Sequence, residues 1–340
     1  TPNMISSLTS LGFEVHVQSG SGSASGFTDD EFAHAGATVV SDLPSGLDVL
    51  LRVTPPTDDA IALVRPGGAV IGFLDPATAA DRYQHHPDRH FVAIEAIPRT
   101  TLAQAMDALS SQATSAGYAA VLLGATRLPK FMPMLVTAAG TVAPAKVLVL
   151  GVGVAGLQAI ATARRLGAIV FAYDIRPETK EQVESLGARF VEAPTQEMDE
   201  GGYARAVDEE TAAKQREVLA AVVADSDLIV TTAQVPGRTA PRLVDRSMVE
   251  AMEAGSVVVD MAAGSGGNVE GSQPDQEIDI DGVLVLGPTD LASRVAADSS
   301  RMYARNLLEV VTRMVVDGDL VVDPNDAVVG PALVGGGNDE

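Results

Sequence analysis

Cysteine and tryptophan are both missing from this 340-residue chain. Without cysteine there is no disulfide, no thiol nucleophile and no thiolate-ligated zinc, while the redox compartment stays open. Aromatic residues make up only 4% of the chain. Lysine is scarce as well: Lys130, Lys146, Lys180 and Lys214 are the only four, so 19 of the 23 basic residues are arginine. The formal net charge of −22 repels nucleic acid and anionic lipid, and neither is expected as a partner. Such an acidic, lysine-poor surface suits a high-salt cytoplasm, where screening tames self-repulsion, and also suits an ordinary acidic soluble protein. Long hydrophobic runs are lacking too. The most apolar stretch, residues 147–163, is interrupted by Gly151, Gly153 and Gly156 and contains Gln158. It falls short of the roughly 20 apolar residues that span a bilayer. The opening Thr1-Pro2-Asn3-Met4 shows no basic segment followed by an apolar one, as a signal peptide would. A soluble chain without direct membrane insertion is expected, and no repeat of solenoid length is present.

What the chain has is glycine (32 residues) and 46% hydrophobic content, enough for a substantial core. At roughly 150 residues per domain, its length suggests two domains. Period-2 and continuous apolar runs mark strands at 13–17, 37–40, 49–53, 69–73 and 91–94, with helical patterns at 6–11 and 30–37. A second series has strands at 146–150, 169–173, 190–192, 228–232, 257–260 and 283–286. The alternation predicts an α/β fold of two Rossmann-like, doubly wound domains joined by long helices. One domain is expected at 1–112 plus 300–340, the other at 113–299. Residues 100–123, bounded by Pro98, read as one long helix, and 297–316 as another that returns to the first domain. Because the first element is helical, an initial strand is expected ahead of it. The polar stretch 195–211 is a candidate mobile loop, and 335–340 a frayed tail.

Gly151-Val152-Gly153-Val154-Ala155-Gly156 fits G-x-G-x-x-G. That pattern is weak alone, but here it follows the apolar run 147–150, opens an alanine-rich helix, and precedes Asp174 at the end of the next strand. Gly151 would permit the tight turn, Gly153 the approach of backbone to pyrophosphate, and Gly156 close helix–strand packing. Val152 and Val154 complete the loop, whose N–H groups and helix dipole favour phosphate. Asp174, with Ile175 beside it, would accept hydrogen bonds from ribose hydroxyls and repel a 2′-phosphate, favouring NAD(H). Arg176 either argues mildly for a 2′-phosphate or is simply a solvated residue at a helix start.

Gln104, Asp107 and Ser111 follow i, i+3, i+7, with Arg99 upstream and Ser110 close by, so a continuous helix would carry them on one face. A solvated helix face explains this spacing as well as a site does. His85, His86 and His90 read as a solvated loop broken by Pro87, and the acidic residues around 199–210 as a solvated loop; no metal site is expected.

Further motifs extend the pattern: Ile97-Pro98-Arg99, Asp107-Ala108-Leu109-Ser110-Ser111, Ala116-Gly117-Tyr118, Thr137-Ala138-Ala139-Gly140-Thr141-Val142, Lys180-Glu181-Gln182-Val183-Glu184, Gly201-Gly202-Tyr203-Ala204, Pro236-Gly237-Arg238, Gly266-Gly267-Asn268 and Ser293-Arg294-Val295-Ala296-Ala297-Asp298. Over nearly its whole length the chain resembles the NAD(H)-binding component of the proton-translocating transhydrogenases, within the alanine dehydrogenase/transhydrogenase family. That resemblance implies a Si–Re specific transhydrogenase, active only with partner subunits, in which hydride passes to NADP(H) on a separate domain. It also implies a membrane subunit that moves the proton, a homodimer, and a cytoplasmic position peripheral to the inner membrane. By the same resemblance Arg99, Gln104 and Asp107 hold the nicotinamide, its carboxamide and its ribose, supported by Ser110. Gly202 and Tyr203 belong to a loop closing on the nucleotide, and Gln234 lies near it through its backbone. Two rivals remain: an alanine dehydrogenase-like enzyme and a non-catalytic NAD-binding module. The first needs a substrate-binding lysine and a catalytic histidine, but this chain has Arg52 in Leu50-Leu51-Arg52-Val53 and no histidine around Phe73-Leu74-Asp75-Pro76. The retained Arg99, Gln104 and Asp107 speak against the second.

Overall fold

A computed structural model describes residues 1–193, 209–234 and 239–334. The chain separates into two compact units, 1–112 with 295–340, and 113–294.

The first unit is built on three parallel strands, β3 (Leu47–Leu51), β4 (Val64–Gly72) and β5 (His90–Ala93). Leu333–Val334 closes the β5 edge as an antiparallel strand. Ala69, Val70 and Ile71 of β4 are completely buried, as a run without polar alternation requires when both faces of a parallel sheet are covered. Helix Ala296–Met314 packs on this sheet through Tyr303, Leu307, Val310, Val311 and Met314, a stripe at helical spacing that meets Ile71 and Val92. Two further parallel strands, β1 (His16–Gln18) and β2 (Thr38–Val40), form a sheet of their own. Between β1 and β3 lies a largely apolar cavity of about 400 Å³, lined among others by Ile5, Leu8, Val17, Leu50 and Leu307.

In the second unit, β6 (Leu135–Thr137) and β7 (Gly140–Val142) form a two-stranded antiparallel ribbon. The main sheet comprises β8 (Lys146–Leu150), β9 (Ile169–Tyr173), β10 (Arg189–Phe190), β11 (Leu228–Thr231), β12 (Val257–Asp260), β13 (Glu277–Ile280) and β14 (Val283–Leu286). Its order is β10-β9-β8-β11-β12-β14-β13, parallel throughout except for β13 at one edge. Strand order reverses between β8 and β11, the switch point at which open α/β sheets leave a crevice beyond their carboxyl ends.

One predicted element is wrong. Residues 100–123 are not a single helix: a 3₁₀ turn covers Thr101–Met106, Asp107 leaves helical geometry with ψ 85°, and the α-helix is Ala108–Arg127. Gln104 and Ser111 therefore do not share a continuous helix face with Asp107. Alanine-rich sequence favours either helical form; at the break Asp107 accepts from the Ser110 N–H as a helix cap, and Asn306 holds the Ala105 carbonyl from outside the segment. The ribbon, strand β13 and the short pairing of Val315–Val316 with Asp319–Leu320 carry no clear mark in the sequence pattern.

Candidate dinucleotide site

β8 is fully buried from Val147 to Leu150 and delivers the chain to Gly151, whose φ of 95° lies in the left-handed region. A Cβ there would also sit 2.7 Å from Thr232 Oγ1. Helix Val154–Arg165 starts at Gly153 with no side chain capping it, so its first-turn N–H groups are left without a side-chain partner. Around Gly153 a Cβ would meet nothing within 4 Å: the backbone is bare on that side. Gly156 is the opposite case, because a Cβ would lie 1.9 Å from the Gly151 carbonyl oxygen. Helix and turn touch main chain to main chain. Val152 is buried, while Val154 and Ile175 are 40% and 55% exposed on the open side.

Asp174 closes β9 with its carboxylate almost out of solvent. Val152 N–H donates to Oδ2 at 2.7 Å, and Arg176 N–H to Oδ1 at 2.9 Å. The Arg176 side chain folds back on the same group, with Nε 3.0 Å from Oδ1 and a terminal nitrogen 3.0 Å from Oδ2. Burial alone would push the Asp174 carboxyl up, but these hydrogen bonds and the Arg176 charge outweigh it and hold it below the usual carboxylate range. Arg176 is thus an exposed side chain whose guanidinium is engaged as the counter-ion of Asp174.

Across the switch point, Thr232 Oγ1 donates to the Gly151 carbonyl at 2.9 Å. Gln234 has an exposed side chain whose amide donates to the Met261 carbonyl at 2.9 Å. Two residues to which the sequence pattern gives no role fix this side of the crevice. Asp260, fully buried, accepts at Oδ1 from Thr231 Oγ1 and the N–H groups of Ala262 and Asn268, and at Oδ2 from Val269 N–H. Asn268 in turn brackets Ala233, accepting from its N–H at 3.1 Å and donating to its carbonyl at 2.8 Å. Gly117 has a packing role that its motif alone does not disclose. A Cβ on it would fall 2.1 Å from the Ala155 carbonyl, so helix Ala108–Arg127 abuts the start of helix Val154–Arg165 there.

Arg99, Gln104, Asp107 and Ser110 lie in the first unit. The side chains of Arg99 and Gln104 are exposed and carry no hydrogen bond to another described residue. Asp107 is half-buried and committed, Oδ1 accepting from Ser110 N–H at 2.8 Å and Oδ2 from Ser110 Oγ at 2.6 Å. The turn that carries them is anchored by Ala103 and Met106 in the core and by Asn306. Asn306 donates to the Ala105 carbonyl at 2.8 Å and accepts from Ser111 Oγ at 2.7 Å. Nothing in the sequence near residue 100 points to it. Gly202 and Tyr203 fall outside the described residues. Among the described residues no group of three or more acidic or histidine side chains is arranged to hold a metal, and no helix is long and apolar enough to cross a membrane.

The chemistry of the second unit fits a dinucleotide. Uncapped N–H groups beside bare glycine backbone suit a pyrophosphate, and a sequestered carboxylate about one strand away suits a ribose diol. Comparison with known proteins agrees. The family described as "Alanine dehydrogenase/PNT, N-terminal domain" matches residues 1–116, and "Alanine dehydrogenase/PNT, C-terminal domain" matches residues 120–337. The chain is 43% identical to an NAD(P) transhydrogenase subunit alpha chain of Rickettsia prowazekii, over 95% of its own length and 87% of that protein's. A solved transhydrogenase from Sinorhizobium meliloti is similar at TM-score 0.89 and 42% identity, covering 98% of this chain and 92% of the other. A solved L-alanine dehydrogenase matches at TM-score 0.80 with 25% identity, covering 98% and 90%.

Proposed function

The chain belongs to the alanine dehydrogenase/PNT family, and on that footing we propose that it is the NAD(H)-binding component of a proton-translocating transhydrogenase. The observation that carries the reading is the Gly151–Gly156 turn opening beside Asp174, in a chain far closer in sequence to a transhydrogenase than to an alanine dehydrogenase. NAD(H) supplies hydride, exchanged directly with the nicotinamide of an NADP(H) carried by a partner domain. The residues have no proton to move at the reacting carbon, so their work is orientation and exclusion of water.

Within that reading the N–H groups after Gly153 bind the pyrophosphate and Asp174 accepts from the ribose. Arg99 and Gln104, with uncommitted polar ends, orient the nicotinamide and its carboxamide. Asp107 takes the adjoining ribose, and Ser110 fixes the rotamer that presents it. Gln234, pinned to Met261, sets the backbone beside the cofactor. Where an alanine dehydrogenase needs its lysine and histidine, this chain carries Arg52, whose carbonyl accepts from Tyr303 Oη, and Asp75 at the start of a helix. Neither replaces a proton carrier of imidazole type.

A homodimer forms part of the proposal, and the ribbon is the surface that fits it. From Phe131 to Ala145 there is no charged residue, in a chain of net charge −22, and Phe131, Met134, Val136 and Val142 are exposed along it. Two copies meet there without like-charge repulsion. The acidic surface leaves attachment at the membrane to protein contacts with the proton-conducting subunit, on the cytoplasmic side.

The test mixes the chain with an NADP(H)-loaded partner domain and follows NADH-dependent reduction of an NADP+ analogue. Turnover that falls by about 10²-fold in Arg99→Ala or Gln104→Ala supports the reading, that being the usual cost of an angstrom of misplacement. NADH oxidation driven by pyruvate and ammonia would assign an alanine dehydrogenase instead. Nucleotide binding with neither activity would leave only a binding module.

A further inference from the structure

Asp174 has no free acceptor position facing the crevice. A carboxylate offers about four lone-pair sites. Here all four carry a donor: the two backbone N–H groups of Val152 and Arg176, and two nitrogens of the Arg176 guanidinium. The Asp174 side chain is only 6% exposed, whereas that of Arg176 is 45% exposed and its guanidinium hydrogen bonds go to Asp174. The backbone donors are fixed by the turn and by the end of β9. The guanidinium is the one donor that can leave.

We propose that Arg176 is a specificity-determining residue: a tethered cation that occupies the ribose-binding carboxylate, must yield to a ribose diol, and sets how strongly a 2′-phosphate is refused. This inference rests on the dinucleotide reading of the crevice. The two hydroxyls of an unphosphorylated ribose are donors, and they replace the two guanidinium nitrogens one for one. A 2′-phosphate has no proton to give and carries charge of the same sign as Asp174. It is tolerated only to the extent that Arg176 neutralises the carboxylate or turns to meet the phosphate. Asp174 and Arg176 therefore act in opposition, the first rejecting NADP(H) and the second moderating that rejection.

The test is a double-mutant cycle on the full chain, reading dissociation constants for NADH and NADPH by nucleotide fluorescence, with melting temperatures confirming that each variant is folded. Arg176→Ala should weaken NADPH at least about tenfold relative to NADH, since unit charges a few angstroms apart at a protein surface interact by more than that. NADH itself should bind as well as before or tighter, its hydroxyls no longer competing. Asp174→Asn should shift preference toward NADPH by a similar factor, and Asp174→Asn with Arg176→Ala should lose that shift. Arg176→Gln, which keeps the side chain's length and hydrogen bonding, should behave as Arg176→Ala does. An NADPH/NADH ratio unmoved in Arg176→Ala, or an Asp174→Asn shift toward NADPH that survives intact when Arg176→Ala is added, would overturn the proposal. Failure of the unsubstituted chain to bind NADH would instead overturn the dinucleotide reading.

Discussion

Gly153 and Gly156 stand three residues apart in one motif and respond differently to the same substitution. Gly153→Ala places its methyl in open space, so the melting temperature should be unchanged while NADH affinity falls, the methyl standing where pyrophosphate approaches. Gly156→Ala drives a methyl into the Gly151 carbonyl, and overpacking of this kind costs about 1–3 kcal/mol or more, so the fold itself should weaken. Calorimetry with a nucleotide titration separates the two; equal loss of stability in both would refute the distinction. Asp174 adds a pH signature. Because its pKa in the folded chain is lowered, the stability it contributes is complete above the ordinary carboxylate value of about 4 and drains away as pH falls below that. Asp174→Asn should flatten the stability profile on that acid limb, read as the melting temperature against pH. These residues were legible in the sequence because backbone need and chemical need coincide in a short local motif. Asn306, Asp260 and Asn268 were not, since each acts on a segment that only the fold brings near.

The 3₁₀ turn Thr101–Met106 is braced by Asn306, 201 positions beyond the Ala105 carbonyl that it holds. Replacing Asn306 by alanine removes its bonds to the Ala105 carbonyl and the Ser111 hydroxyl, which keeps Ala108 and Gln112 as partners, a loss of about 0.5–1.5 kcal/mol per hydrogen bond. We expect Asn306→Ala to lower the melting temperature and to reduce hydride-transfer turnover more than NADH affinity. Unchanged turnover would show that the turn holds without it. Strands β8, β9, β12 and β14 could be read directly, their apolar runs being buried on both faces. Glu277–Ile280 could not: an edge strand alternating acidic and apolar residues looks like a loop between glycines. The ribbon escaped notice for a related reason, because its small residues and threonines carry no clear period and its faces are exposed. The single long helix expected from 100 was wrong because composition sets helical preference and not where a helix must break.

At the scale of the whole molecule the net charge dominates. Self-repulsion at −22 destabilises the compact state and is screened over about 10 Å at 0.1 M salt. Melting temperature should climb with sodium chloride from about 0.01 to 0.5 M; a flat or falling curve would mean the acidic groups are already locally paired. Against that repulsion, the charge-free ribbon is the expected dimer contact. Val136→Glu should convert the dimer to monomer in analytical ultracentrifugation, while Val53→Glu, an exposed apolar residue outside the ribbon, should not. Dimers surviving Val136→Glu would assign the contact elsewhere.

The bare main chain at Gly153 has a consequence for kinetics. Its N–H groups work at contact range, where mobile ions scarcely intervene, whereas the acidic exterior acts on an incoming dinucleotide from many angstroms away. Salt removes the second influence and spares the first. Capture of NADH should therefore quicken as ionic strength rises, the reverse of what a pocket ringed with lysine would do, and stopped-flow mixing would see it in the bimolecular rate.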